Sequence, residues 1–234
     1  EFLAKAYEHL DGISKREKMY IDSCAVKLGL PTDEKGLAQY RKEKDKFKIK
    51  RSDKQRRGDY VKKLEEIILA YPDDLEAKAF LVITLYRNAR GGHPINSHVA
   101  VNSLAQEILS KKPYHPTNHF VIHLWDRKKA AIALSAAAKN GQGSPSIAHM
   151  WHMPGHIYSK LGRYADAAWH QEASARTDHR HMMRDMVLPD RISNFAHNNE
   201  WLSRNLMYLG RVEDAYSLVR NMCELPMHPQ YNTF

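Results

Sequence analysis

Six histidines in the second half of the chain have the residue type and spacing of transition-metal ligands. Separations of three and four residues place neighbouring histidines on one face of a helix. Neutral imidazole is a common ligand for zinc, copper, nickel and iron, and three or four imidazoles are enough for a site. The pattern predicts a metal site built from His119, His123, His149, His152, His156 and His197.

The histidines also repeat along the chain. His119 precedes His152 by 33 residues, and His123 precedes His156 by the same distance. A tetratricopeptide repeat, a pair of helices that stacks on the next pair, is about 34 residues long. Equivalent positions of neighbouring repeats are therefore expected to carry these imidazoles. We expect the four side chains to converge on a common space, with at least two from different helices within reach of one ion.

Carboxylates within plausible reach are candidates to orient the imidazoles, to add a ligand or to act as a base. They are Asp126, Glu172, Asp178 and Glu200. The chain lacks the sequence H-E-x-x-H, which excludes the familiar zinc-protease arrangement. The alternative remains open that these histidines pack in a groove and bond to neighbouring carbonyls and carboxylates.

Other histidines are expected to play different roles. His115 is assigned to the start of a helix, and His170 to a second helix, facing away from the groove. His179 and His181 fall in a predicted insertion.

The segments that carry these residues are predicted to be helices separated by short breaks. No segment alternates with the period of two that a strand requires. Ser14 and Glu17 form the capping-box pattern, and Asp74 is a candidate N-cap. Residues 140–145 are predicted to be a linker. Pro154 is expected to kink a continuous helix, the alternative being a helix that starts at Met153.

One stretch matches the tetratricopeptide spacing closely, through Trp151, Gly155, Tyr158, Gly162, Tyr164 and Ala167. A later copy gives Leu206, Gly210, Val212 and Ala215. The 48 residues between Gly162 and Gly210 equal one repeat plus an insertion of about 14, placed near residues 179–192. The fold prediction is all-α, a right-handed solenoid of about three to five helix pairs spanning residues 1–234 as a single region.

Most of the net charge of +9 lies between Lys35 and Arg57, where eleven lysines or arginines stand against three acidic residues. This basic insertion is predicted to be a solvated loop or a charged helix extension. Residues 36–57 are expected to be the least ordered internal stretch, with Phe47 and Ile49 outside any core. Nucleic-acid binding there is not favoured, because few aromatic residues interleave with the cations.

The ends of the chain and its hydropathy give two further expectations. Because Glu1 already lies in a helical pattern, the chain is taken as an internal piece of a longer polypeptide. No apolar run approaches the roughly 20 residues of a membrane span. The sequence leaves the compartment open.

Three motifs carry a resemblance to a known family. They are Tyr71-Pro-Asp-Asp-Leu-Glu-Ala77, the helix from His115-Pro116 through His119 and His123 to Asp126, and His152-Met-Pro-Gly-His-Ile-Tyr158. With a late His197-Asn198, they resemble a family of bacterial tetratricopeptide-repeat proteins. The basic insertion is longer than the usual link in that family. The resemblance implies an architecture and does not decide an activity.

Three functions follow as hypotheses. The first is a repeat scaffold that binds a protein or peptide partner in a histidine-lined groove, with Trp201 and Arg204 among the partner-binding residues. The groove is predicted to hold zinc, iron or copper. The second is a metal-dependent hydrolase or oxidoreductase that uses the same histidines. The third is a nucleic-acid or acidic-partner binder acting through residues 35–57.

Overall fold

The computed structural model describes residues 2–42 and 51–226, and its regular elements there are helical. The twelve α-helices of the described ranges are α1 (Phe2–Glu8), α2 (Lys15–Leu28), α3 (Glu34–Lys42), α4 (Asp53–Ala70), α5 (Leu75–Asn88), α6 (His98–Lys111), α7 (Thr117–Trp125), α8 (Leu134–Gly143), α9 (Ala148–Lys160), α10 (Tyr164–Asp185), α11 (Ser193–Tyr208) and α12 (Val212–Glu224). Short 3-10 turns lie at Ala89–Gly91, Ala130–Ala133 and Pro189–Arg191. The all-α prediction is confirmed.

The chain divides into two compact units, Glu1–Ile108 and Leu109–Phe234. In the first unit α4 packs against both α2 and α5. Its core is formed by Tyr60, Leu64, Ile67, Ala77 and Leu81. These residues recur at helical spacing in α4 and α5, so each helix contributes one apolar face. That all repeats form a single region stays a prediction.

Two helix starts in the first unit have the predicted caps. The Ser14 hydroxyl accepts a hydrogen bond from the Glu17 backbone N–H at 3.2 Å, and the Glu17 carboxylate accepts one from the Ser14 N–H at 2.8 Å. The Asp74 carboxylate accepts from the backbone N–H groups of Glu76 and Ala77. Both caps satisfy amides that the first helical turn leaves without partners.

In the second unit the helices pack as successive pairs. Each helix from α7 to α12 contacts the next one along the chain. The alternate helices α7 and α9, and α9 and α11, are also in contact, so the first helices of three pairs are neighbours. Buried apolar side chains such as Ile122, Ile157 and Leu202 lie on these three helices. This arrangement positions the histidine-bearing faces.

The prediction of a linker at residues 140–145 is wrong for residues 140–143. Helix α8 continues to Gly143, and Gly141 lies under the indole of Trp151. A Cβ at Gly141 would lie 2.3 Å from that ring. The glycine therefore allows close approach of the two helices, and it does not mark a flexible connection.

Helix α9 runs continuously through Pro154, as predicted. Proline lacks an N–H, so the Met150 carbonyl receives no hydrogen bond from the helix at that point. The side-chain amide of Asn140, itself buried, donates to this carbonyl across 2.7 Å. A residue of α8 thus compensates for the interruption in α9.

The insertion predicted near residues 179–192 is largely helical. Helix α10 extends for 22 residues to Asp185, and Met186 ends it in the left-handed conformation at φ 53°. The 3-10 turn Pro189–Arg191 then leads into α11. Most of the extra length is therefore additional helix, which the sequence pattern did not indicate.

The basic insertion is helical at both described ends, in α3 and in the first turns of α4. The charged-helix alternative therefore applies there. Leu37 is buried, contrary to the expected exposure of this stretch. Phe47 and Ile49 lie in residues 43–50, outside the described part of the chain. Within the described ranges, no helix has the length and apolar character needed to cross a membrane.

Candidate metal centre

The six candidate ligands form two groups of three in the second unit. We call His119, His123 and His149 the first triad, and His152, His156 and His197 the second triad. In each triad one nitrogen from every ring lies within 4.8 Å of the others. Each triad combines two histidines one turn apart on one helix with a third from the next first helix.

The second triad is the more buried. His152 is fully buried, and its Nε2 lies 2.8 Å from the Nε2 of His156. His197, on α11, has its ring 4.8 Å from that of His152 and 6.0 Å from that of His156, centre to centre. Three imidazoles from α9 and α11 therefore surround one small space.

The outer nitrogen of His152 is held by two amides. Its Nδ1 lies 2.7 Å from Gln171 Oε1 and 3.1 Å from Asn198 Oδ1. The Asn198 Nδ2 donates to the Gln171 backbone carbonyl at 2.7 Å, so its oxygen is the atom that faces the imidazole. Because both partners of Nδ1 are acceptors, Nδ1 carries the hydrogen and Nε2 keeps its lone pair.

His156 is positioned by an indole and a carboxylate. Its ring stacks on Trp201 with centres 4.1 Å apart and 25° between the planes. Its Nδ1 faces Asp126 Oδ1 at 3.9 Å, and Lys160 Nζ lies 2.8 Å from the same oxygen. At 3.9 Å this approach is longer than a hydrogen bond, so Asp126 lies beside Nδ1 without fixing which ring nitrogen carries the hydrogen.

Burial sets the charge of these two imidazoles. It lowers the pKa of His152 to about 4, although the hydrogen bonds that His152 donates to Asn198 and Gln171 act in the opposite direction. Burial, followed by the neighbouring His152, lowers the pKa of His156 to about 2. Both rings are therefore neutral near pH 7, the form in which imidazole binds metals.

The first triad repeats this arrangement one repeat earlier. The Nε2 atoms of His119 and His123 lie 3.0 Å apart. The His149 ring lies 5.0 Å from that of His119 and 6.4 Å from that of His123. His149 Nδ1 lies 3.2 Å from Asn194 Oδ1. The Asn194 Nδ2 donates to Asp178 Oδ2 at 2.7 Å, which turns its oxygen toward the imidazole.

The two triads are adjacent. The rings of His149 and His152 stack with centres 5.7 Å apart and 25° between the planes. Helix α9 supplies one histidine to the first triad and two to the second. The expectation of one common space for His119, His123, His152 and His156 is thus replaced by two neighbouring spaces, each reached from two helices.

The four predicted carboxylates are used unequally. Asp126 faces His156, and Asp178 acts on His149 through Asn194. Burial raises the pKa of Asp178. Glu200 Oε2 lies 3.8 Å from His197 Nδ1, and its other oxygen pairs with Arg204. Glu172 instead pairs with Arg176 on the exposed surface of α10.

Sequence reasoning missed Gln171 and Asn194 as partners of the imidazoles. The H-N motif contained Asn198 but did not indicate its hydrogen bond to His152. One signal was present in Gly155, because a Cβ there would lie 2.3 Å from Gln171 Nε2. The small residue on α9 makes room for the amide that reaches His152.

The remaining histidines lie outside both triads. His115 Nδ1 accepts a hydrogen bond from the Thr117 backbone N–H at 3.1 Å, consistent with a role at the start of α7. His170 is buried against Tyr158, Trp151 and Trp169, and burial lowers its pKa to about 4. His181 pairs with Asp185.

Two residues predicted to bind a partner, Trp201 and Arg204, lie beside the second triad. The Arg204 guanidinium lies 6.0 Å from the centre of the Trp201 indole.

Comparison with solved structures identifies proteins of similar fold. The chain is similar to the structure titled "MamA 41-end from Desulfovibrio magneticus RS-1", with a TM-score of 0.56 and 14% identity over 73% of this chain and 85% of that one. A second, "Crystal structure of MamA protein", gives 0.56 and 11% identity over 91% and 99% of the two chains. No protein-family profile matches the sequence, and no curated protein matches it either.

These likenesses show the fold alone, because the identities are low. They agree with the helix pairs described above and confirm the prediction of a helical-repeat architecture of the tetratricopeptide type. The finer resemblance to one bacterial family stays a prediction that rests on its motifs.

Proposed function

We propose that this protein is a helical-repeat scaffold whose second unit binds a divalent transition metal at the second triad. The observation that carries the proposal is the 2.8 Å approach of the His152 and His156 Nε2 atoms. The outer nitrogen of His152 donates to Gln171 and Asn198, so its inner nitrogen has a free lone pair. When His156 carries its hydrogen on Nδ1, on the side of Asp126, its Nε2 lone pair is directed at the same space.

Without a metal, the 2.8 Å approach is an N–H···N hydrogen bond in which His156 Nε2 donates to His152 Nε2. This arrangement leaves the Nδ1 lone pair of His156 facing the Asp126 carboxylate at 3.9 Å, which is less favourable than an N–H facing it. A metal ion accepts both lone pairs and leaves both outer hydrogens in place. Tetrahedral zinc, with Zn–N distances of about 2.0–2.1 Å, needs its nitrogens about 3.3 Å apart, so the His152–His156 pair needs a shift of about half an ångström. The His197 nitrogen, which lies within 4.8 Å of the other two, must move closer on binding.

The ligand set favours borderline metals. Three imidazoles suit zinc, copper, nickel and iron better than magnesium or calcium, which prefer oxygen. Three protein ligands leave at least one coordination position for water or for a group from another molecule. Zinc, iron and copper, the metals predicted from the sequence, all fit these donor atoms.

The scaffold role is proposed for the same region. Trp201 and Arg204 lie beside the second triad, and an aromatic ring with a neighbouring guanidinium is typical of sites that bind protein or peptide partners. A partner side chain that docks there is close to the coordination sphere. We place the protein or peptide partner at this surface.

A catalytic role is the less favoured alternative. Metal-dependent hydrolases need a base or acid near the bound water. The two carboxylates that face the second triad are already engaged, Asp126 by Lys160 and Glu200 by Arg204. We therefore propose a binding function rather than a reaction.

The test is the metal content of the full chain, purified without a histidine tag or chelator. Elemental analysis should find a stoichiometric transition metal, and His197→Ala should lose one ion per chain relative to wild type. His197 is half-exposed, so its removal should leave the helix content by circular dichroism unchanged. His179→Ala, an exposed histidine outside both triads, is the matched control and should keep the wild-type content. Equal metal contents in wild type and His197→Ala would contradict the proposal.

A further inference from the structure

We infer that the first triad is a second metal site, and that the two sites are successive copies of one ligand pattern carried by the repeats. The inference rests on the same coordination chemistry as the proposed function but concerns different residues. It makes the second unit a two-ion array along α7, α9 and α11.

The pattern has a simple rule. Each site takes a pair of histidines four residues apart on one first helix, and a third histidine from the next first helix. On α9 the third ligand of the first site, His149, lies three residues before the pair His152 and His156. One helix therefore completes one site and begins the next.

Helix α11 shows where the array stops. The offset of 48 that relates Gly162 to Gly210 also relates His149 to His197. The same offset takes His152 to Glu200 and His156 to Arg204. These two positions form an ion pair along α11 in place of a histidine pair. Helix α11 supplies the third ligand of the second site, but it has no histidine pair for a third site. The pattern therefore gives two ions for the described residues.

Both sites are oriented by the same helix. Asn194 and Asn198 lie one turn apart on α11, and their side-chain oxygens face His149 and His152 respectively. Each amide is fixed by a further bond, from Asn194 to Asp178 and from Asn198 to the Gln171 carbonyl. One amide thus directs an Nε2 lone pair into each site. Such outer partners are the usual companions of metal-binding imidazoles.

The ligand geometry gives each ion a structural consequence. The first ion is bound from α7 and α9, and the second from α9 and α11. In repeat proteins the stability of the array depends on the interfaces between neighbours. Because each ion is bound by ligands from two repeats, the free energy of metal binding stabilises the interface between those repeats. The ions therefore join three successive repeats.

The experiment is a stoichiometry measurement on the full chain with cobalt(II) and with zinc(II), added to protein stripped by chelator. After removal of unbound metal, wild type should retain two ions per chain. His149→Ala should retain one ion, His197→Ala one, and the double variant none. His179→Ala should retain two. If His149→Ala loses helix content, His149→Gln replaces it, since glutamine keeps a polar side chain on the helix.

The outcomes separate the two proposals. One ion in wild type that is lost in His197→Ala but kept in His149→Ala overturns this inference and leaves the proposed function intact. One ion that is lost in His149→Ala but kept in His197→Ala overturns both the proposed function and the two-ion array, and leaves the first triad as a single site. A single ion lost in both variants indicates one site shared by the six histidines and overturns the two-site array. No retained ion in wild type overturns both.

Discussion

The side-chain amide of Asn140 donates a hydrogen bond to the backbone carbonyl of Met150 across 2.7 Å. That carbonyl is the one that Pro154 deprives of its helical donor. The bond joins α8 to α9 beside the second triad, because Pro154 lies between His152 and His156. A residue outside the ligand set thus supports the backbone that carries two of the ligands.

This bond predicts a coupled stability effect between Asn140 and Pro154. Asn140→Ala should lower the free energy of unfolding by about 1–3 kcal/mol, because a partly buried carbonyl loses its partner. In a Pro154→Ala background the restored backbone N–H supplies that partner, so Asn140→Ala should cost less. Chemical denaturation of the four proteins of this double-mutant cycle measures the difference. An equal cost in both backgrounds would show that the bond does not compensate for the proline.

The close contact between Gly155 and Gln171 gives a second prediction. In Gly155→Ala the new Cβ would lie 2.3 Å from Gln171 Nε2, so the amide must move away from His152. We expect a loss of about 1–3 kcal/mol in stability from overpacking, together with weaker metal binding at the second triad. Thermal unfolding and metal titration measure the two effects.

Gly58→Ala is the matched control, since Gly58 also lies inside a helix and its Cβ would meet only an ordinary contact at 3.5 Å. Alanine there should stabilise α4 by roughly 0.5–1 kcal/mol through helix propensity. A Gly155→Ala protein as stable as Gly58→Ala would contradict the importance of the Gln171 position.

The repeat architecture was accessible from sequence because it depends on periodic spacing. The tetratricopeptide spacing of residues 151–167 and the 33-residue offset both follow from stacked helix pairs, and both appear in the structure. The division into two triads was not accessible in the same way. It depends on the contact between α11 and α9, which follows an extended α10. The extra residues of α10 separate His149 from His197 by more than one repeat length, so the sequence did not show that they occupy equivalent positions.

The polar residues around the imidazoles were harder still to identify. Gln171, Asn194 and Asn198 come from α10 and α11, and their amides reach the histidines only through the packing of different helices. Asparagine and glutamine have no spacing rule comparable to that of i, i+4 histidines. Sequence could therefore identify the candidate ligands, but their orienting partners required the tertiary structure.

The two asparagines of α11 predict site-selective losses of metal affinity. Asn198→Ala should weaken binding at the second triad by about 10–100-fold, the usual effect of removing an orienting partner, and leave the first triad nearly unchanged. Asn194→Ala should do the reverse. Cobalt(II) titrations followed by absorbance, in His149→Ala and His197→Ala backgrounds, isolate each site. Equal losses at both sites from either substitution would contradict the assignment of one amide to each imidazole.

Asp74 provides a prediction for the pH dependence of stability in the first unit. Burial alone would raise its pKa, but hydrogen bonds from Arg16, the Ala77 backbone N–H and Tyr20 outweigh this and lower it below the usual value. Since the folded-state pKa is below the unfolded one, the carboxylate stabilises the fold fully above about pH 5. This contribution is lost as the pH falls below about 4.

Asp74→Asn should therefore destabilise the protein by about 1–2 kcal/mol at pH 7, and by less at pH 3, because it removes the charge that the cap and its partners favour. Denaturant unfolding at several pH values between 3 and 7 measures the slope. Asp214→Asn is the control, because its pairing with Arg211 lies on the exposed surface, where such pairs contribute little. Parallel pH profiles for wild type and Asp74→Asn would show that the ionisation of Asp74 is not coupled to folding.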